Sequence, residues 1–236
     1  MPSPASVDVD SIATRRPYFA LSQVGLDSMY PIVQGYKDWT AVGLRLNFSD
    51  PFSFQNLNLL ALYSPAPTVP TDERWHASAE YRHFLWDAKF QYNGASFYDL
   101  VGPTKVSRKG YGASLSYERQ LIRDNPRTLT LAGQVSGYAK IERLPFFQNV
   151  STPSGFDKGF SPALDLHYKF FRNSLGWVDP EKGAEWHLRS EVNTIRVEQA
   201  GTGAWRSFPQ ESGTLDLGVP LPIPHASIWL RTGAGY

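Results

Sequence analysis

The stretch TAVGLRLNF, Thr40 to Phe48, decides how the chain is read. Val42, Leu44, Leu46 and Phe48 fall on one side of an alternating pattern, and Ala41, Gly43, Arg45 and Asn47 on the other. A period of two is the signature of a β-strand with one apolar face. Such a face turns either toward a protein core or toward lipid, because a soluble sheet and a membrane barrel share the pattern with inside and outside exchanged.

Working outward, similar runs are expected near 39–48, 55–64, 73–83, 85–92, 110–120, 127–141, 159–171, 184–197, 213–219 and 225–233. Between His83 and Trp86 the apolar phase shifts without Gly, Pro or Asn, which fits either a tight hairpin or a bulge. No apolar i, i+3, i+4 spacing is sustained over a helical window, so the expected class is all-β. The expected architecture is an antiparallel up-and-down meander of about ten strands forming a transmembrane β-barrel or a large part of one. Residues 1–35, rich in Pro, Ser and Asp, read as a linker or lead-in, and 36–236 as the barrel domain, truncated at its C-terminus.

Composition narrows the partners. With 23 basic and 22 acidic residues the net charge is +1, so the basic footprint of a nucleic-acid binder is missing. There is no cysteine, which excludes disulfides and thiolate metal sites. No apolar run approaches the length of a transmembrane helix, and mean hydropathy is −0.34; barrel strands escape that test, since only alternate residues meet lipid. The first residues carry no basic-then-apolar leader, which points to a cytoplasmic protein or to a piece of something longer.

Three patterns favour the barrel. Connections after the odd-numbered expected strands are mostly short (SDPFSF, IRDNPR, PLPIP), and those after the even-numbered ones are long, the sorting seen between the two ends of outer-membrane barrels. The polar faces carry nearly balanced charge: Arg45, Glu80, Arg82, Asp87, Lys89, Glu118, Lys140, Asp165, Lys169, Arg189 and Glu191, with Asp216 and Arg231. In a lumen these would pair across strands, although a solvated sheet face would be mixed in sign as well. Small residues interleave with them, Ala41, Gly43, Ser78, Gly112, Ser114, Ser116, Ala132, Ser136 and Ala163, as suits a concave wall. On the opposite face, Trp39, Phe48, Tyr63, Trp75, Trp86, Tyr92, Tyr111, Tyr168 and Trp186 sit toward strand ends, where membrane interfaces select aromatic rings.

The runs LDSMYPIVQGYKDWTAVGLRLNFSDPFSFQNLNLLALYSP, AEYRHFLWDAKFQYNGASFYDLVGPTKVSRKGYGASLSYERQL and ERLPFFQNV carry a family likeness. Together they resemble the C-terminal barrel of bacterial outer-membrane proteins in which a TolB-like (PD40) propeller precedes a surface-antigen-type barrel. The likeness spans roughly residues 26–150. It implies an outer-membrane location, outer-membrane lipid as partner, a periplasmic propeller upstream and further strands after Tyr236. Its motifs are strands and loops, which specify a fold better than a function.

Catalytic and cofactor signals are weak. The five histidines form no HExxH or close-spaced metal set. His76 with Ser78, and Asp165, His167 and Lys169, share strand faces and raise the rival of a barrel-embedded hydrolase. Side chains two apart on a strand lie about 7 Å from one another, too far for a nucleophile–base bond. GPTK at 102–105 lacks the first glycine of a phosphate loop. No cofactor and no catalytic site are expected; a soluble all-β binding module is the other rival.

Overall fold

The computed structural model describes residues 17–102, 105–142, 156–173, 179–199 and 202–236. Eleven strands form one sheet whose spatial order is their sequence order: β1 (Gly25–Tyr36), β2 (Trp39–Ser49), β3 (Gln55–Tyr63), β4 (Trp75–His83), β5 (Trp86–Gly94), β6 (Arg108–Asp124), β7 (Arg127–Ala139), β8 (Phe156–Arg172), β9 (Lys182–Gln199), β10 (Thr202–Pro220) and β11 (Ser227–Gly235). Every neighbouring pair is antiparallel. The expected all-β meander is what forms. The sheet is open, and since β1 and β11 run in the same direction, joining them directly would make a parallel pair.

Two stretches depart from the sequence reading. Residues 25–35, read as part of a linker, are most of β1. Pro31 cannot donate to a ladder, so it is confined to an edge, and β1 is the edge strand. Residues 202–212, read as loop, extend β10 against β9. Neither face of that extension is apolar, with Trp205, Ser207, Pro209 and Glu211 alternating with Arg206, Phe208 and Gln210, so periodicity gives no signal there. Pro209 is tolerated because β11 pairs only with Ser212–Pro220, leaving its other edge unpaired. The β9–β10 connection therefore shrinks to residues 200–201, and the expected sorting of long loops to one end holds only for the connections at 64–74, 95–107 and 140–155. At 83–86 the chain makes a hairpin, with His83 opposite Trp86.

The register assigns every side chain to one of two faces. Ala41, Gly43 and Arg45 share a face with Leu62, His76, Ser78, Glu80, Lys89, Gln91, Ser114, Ser136, Asp165 and Arg189; all nine small residues singled out above lie on it. The sheet curls toward this face. Lys37, in the β1–β2 turn, meets Glu142 just beyond β7, which in a flat sheet would stand about 24 Å from β2 at ~4.8 Å per strand. At Gly43 the backbones of β2 and β3 crowd on this face, since a Cβ there would fall 1.9 Å from the Ala61 carbonyl oxygen of β3.

The other face is left uncovered. Val42 and Leu44, the residues a sandwich would bury, are 44 % and 48 % exposed, and Met29, Phe90, Leu115, Val135, Leu164, Leu188 and Leu230 are exposed beside them. The buried apolar residues among those described are only Tyr36, Ala41, Leu62 and Val69. A half-exposed Leu or Val forfeits about 1 kcal/mol. A dozen together match the whole net stability of a domain, roughly 5–15 kcal/mol.

Candidate functional site

Most of the buried polar residues, among them Ser64, Glu73, His76, Asn93, Asp99 and Ser107, collect at the end of the inward face nearest the connections 64–74 and 95–107, with Asp50 and Gln55 at the opposite end. β1 enters that end as an edge, and its Gly35 exchanges two backbone hydrogen bonds with Ser96 of the β5–β6 connection, each 2.9 Å. The curl thus closes on itself at this one level. Asp99, in the helical turn Tyr98–Val101, accepts from the amides of Lys37, Val106 and Ser107. Gly35 permits the approach, because a Cβ on it would stand 2.5 Å from the Asp99 carbonyl carbon.

Inside this closure Glu73 is the hub. It accepts from the Tyr36 hydroxyl at 2.8 Å and from Lys37 Nζ at 2.5 Å, while Lys37 also donates to Glu142 at 2.7 Å. Lys109 joins Asp72 and, at 3.6 Å, Glu73. Burial works to raise the Glu73 carboxyl, yet the hydrogen bonds from Lys37 and Tyr36 and the charges of Lys37 and Lys109 outweigh it, so Glu73 sits below the usual glutamate range. Asp72 is likewise lowered, chiefly by Lys109. A carboxyl whose folded pKa is depressed adds stability that is complete above its unfolded value, about 4.3 for Glu and 3.9 for Asp, and that fades as pH falls through the folded one. Amide exchange in 71–76, corrected for intrinsic rates, should accordingly quicken below about pH 4 and hold steady from pH 5 to 8. Protection unchanged at pH 3 would mean that these ion pairs do not hold the closure.

Below the hub, His76 is buried with its ring 4.3 Å from that of Tyr36. Its Nδ1 donates to the Asn93 carbonyl at 2.8 Å, which leaves Nε2 to accept from the Ser64 hydroxyl, also 2.8 Å away. The partner is Ser64, from the connection after β3, and not Ser78. This pair looks like a nucleophile and base, but Ser64 is fully buried and His76 is oriented by a carbonyl and not a carboxylate. The geometry suits a packed polar core.

A second concentration of chemistry lies on the same face of β8–β10. His167 and His187 stand directly opposite, with ring centroids 5.6 Å apart. His167 Nε2 is 2.7 Å from Glu185 and His187 Nε2 is 2.5 Å from Asp165. Both imidazoles line a cavity of about 260 Å³ with Glu185, Thr214 and Asp216. The cross-strand partners Glu185 and His187 were not singled out as ligands of this chemistry, since sequence distance hides which strands pair. Among the described residues no group of three or more His, Asp or Glu is placed to hold a metal ion.

The other singled-out charges fall as follows. Glu80 and Lys89 are opposite neighbours at 3.3 Å, as are Arg82 and Asp87; Arg189 bridges Asp165 at 3.9 Å and Glu191 at 2.8 Å. Arg45, Glu118 and Lys169 share the face, Lys169 standing opposite Glu185. Lys140 does not belong to it: β7 ends at Ala139, and the Lys140 ammonium reaches over the ring of Tyr111 on the apolar face.

The aromatics form cross-strand pairs on the uncovered face at two levels. Tyr63–Trp75 and Tyr92–Tyr111, with centroids 5.0 and 4.8 Å apart, lie toward the long connections. Trp86–Tyr117 and Tyr168–Trp186, 4.7 and 5.6 Å, lie toward the opposite end. On β5 and β6 the levels are six residues apart, about 20 Å along the strand. Phe48 continues the apolar row opposite Leu57. Trp39 is the exception: its register places it opposite Tyr36, with the parity of Ala41, and its indole N–H donates to Thr68. A strand-end position seen in sequence does not reveal that the hairpin tip folds inward there.

No family model, no curated protein and no solved structure matches the chain.

Proposed function

We propose that the chain is the wall of a bacterial outer-membrane β-barrel, with a structural, transport or assembly role and without catalysis, whose partner is outer-membrane lipid. The observation that carries this reading is the pairing of one uncovered apolar face, continuous over eleven strands, with a polar face curled inward and laced by cross-strand ion pairs. Each strand has at least nine residues, enough to cross a bilayer when tilted. Two levels of paired aromatics agree with it. The family likeness adds a periplasmic propeller as an upstream neighbour in the parent protein.

The test is heat-modifiability after export to the outer membrane. The expected result is an unboiled band that migrates faster than the boiled one on a denaturing gel. A chain recovered in the soluble fraction with no such shift would overturn the reading.

A barrel-borne hydrolase is the second reading, favoured by His167 and His187, each held by a carboxylate beside Thr214. It predicts that His187→Asn abolishes an esterase or protease activity of the exported chain. An activity that survives this substitution would eliminate it.

A further inference from the structure

The β4–β5 turn is built from the wrong residues for a turn in water. Two-residue hairpins favour Asn, Asp and Gly, whose backbones accept positive φ. Here the pair is Phe84 and Leu85, 59 % and 46 % exposed, and Phe84 holds φ at 49°, a costly region for a bulky side chain. Phe84 stacks on Phe54 of the neighbouring β2–β3 turn at 4.8 Å, and Phe54 continues to Phe52 at 5.9 Å. Tyr18 extends the cluster, its ring edge-on to Phe52 at 4.8 Å, and is 39 % exposed. The one charge in these turns is withdrawn: Asp50 is buried and binds the Tyr18 hydroxyl and the amides of Phe52 and Gln55.

The level of this turn in the sheet says what covers it. The Glu118 amide donates to the Leu85 carbonyl, so the turn stops beside Glu118 while β6 runs on to Asp124. Past that level the outward face of β7–β9 is still apolar, with Leu131, Leu166 and Leu188 in one row and Leu129, Tyr168 and Trp186 in the next, while β6 places Arg119 opposite Leu131 as the one outward charge beside the turn. The turn is thus flanked by wall that, apart from Arg119, remains apolar beyond it.

Building on the barrel reading, we infer that Phe84, Leu85, Phe52, Phe54 and Tyr18 form an aromatic rim seated in the headgroup–acyl boundary of the bilayer. Lipid is the occupant because the turn residues are continuous with the apolar wall through Trp86 and Tyr117 and carry no exposed charge, and the nearest outward charge, Arg119, is a cation suited to a lipid phosphate at the headgroup level.

The absence of cysteine makes the test direct. Phe84→Cys and, as a reference on the wall, Leu44→Cys are each labelled with an environment-sensitive dye in the full chain, reconstituted into phosphatidylcholine vesicles. Quenching by acyl-brominated lipid is compared with quenching by aqueous iodide. The inference expects bromolipid to dim the dye at position 84 as strongly as at position 44, with little loss to iodide. Quenching at 84 by iodide alone would overturn it, as would shielding from both, which would mean that protein covers the rim. If position 44 is itself not quenched by bromolipid, the barrel reading fails first and the rim fails with it.

Discussion

Arginine at Val135 is expected to cut the amount of assembled protein in the outer membrane severely, while arginine at the adjacent Gln134 leaves it nearly unchanged. Val135 lies on the uncovered face between Leu115 and Pro162, and Gln134 lies on the inward face between Ser116 and Ala163. A lipid-facing arginine near the middle of a barrel wall costs about 2–4 kcal/mol, whereas a lumen position is wet and tolerant. On a soluble sheet the ranking disappears, because both positions are exposed and surface substitutions stay within about 0.5 kcal/mol. The measurement is the fraction of heat-modifiable protein in isolated outer membranes for the two variants. Equal yields would remove the asymmetry on which the reading depends.

Glu73→Leu is expected to be the most damaging change on the inward face. It strips the Tyr36 hydroxyl of its acceptor and removes one of two carboxylates from Lys37, whose side chain is only 16 % exposed. Breaking a buried ion pair from one side costs about 3–5 kcal/mol. Glu142 stays in reach of Lys37 at 2.7 Å, which brings the expected loss to about 2–3 kcal/mol. The urea midpoint in micelles should fall, and amide protection at Gly35 and Ser96 should fall with it. The control is Glu118→Leu on the same face, where the side chain is exposed and the midpoint should barely move. A Glu73→Leu midpoint equal to that of the control would show the hub to be incidental.

A related steric prediction concerns Gly35. Valine there would drive its Cβ into the Asp99 backbone, so Gly35→Val should detach the β5–β6 connection from β1, seen as loss of the slow Ser96 amide while the β7–β9 amides are unaffected.

How much of this was legible in the sequence depends on what each feature rests on. The two faces were legible wherever alternation was strict, as in β2 and β4, because period two survives without knowledge of partners. The charges at Glu80, Arg82, Asp87 and Lys89 share one face for the same reason, and their pairing comes from the hairpin at 83–86, where the sequence alone left a bulge equally open. β1 was hidden because it lies in a Pro-, Ser- and Asp-rich stretch with little periodicity, and because Pro31 is compatible with a strand only at an edge, which the sequence does not reveal. The first half of β10 was hidden because it runs past the apolar band and needs no apolar side.

The buried cluster was out of reach for a different reason. Lys37, Glu73, Ser64 and Asp99 come from turns and connections, where no periodicity operates, and they meet only because the sheet curls. Short-range pattern cannot report curvature. Gly43 and Gly35 were the available hints, and only the first was read as a sign of a concave wall.

The central claim is that the apolar face of the sheet looks into lipid, and cysteine scanning along β9 tests it most directly. Single cysteines from Glu185 to Val192 in the exported chain, probed in intact outer membranes with a membrane-impermeant maleimide, should label with a period of two. Glu185, His187, Arg189 and Glu191 react, whereas Trp186, Leu188, Ser190 and Val192 do not. Uniform labelling at all eight positions, or labelling confined to the second set, would contradict the account.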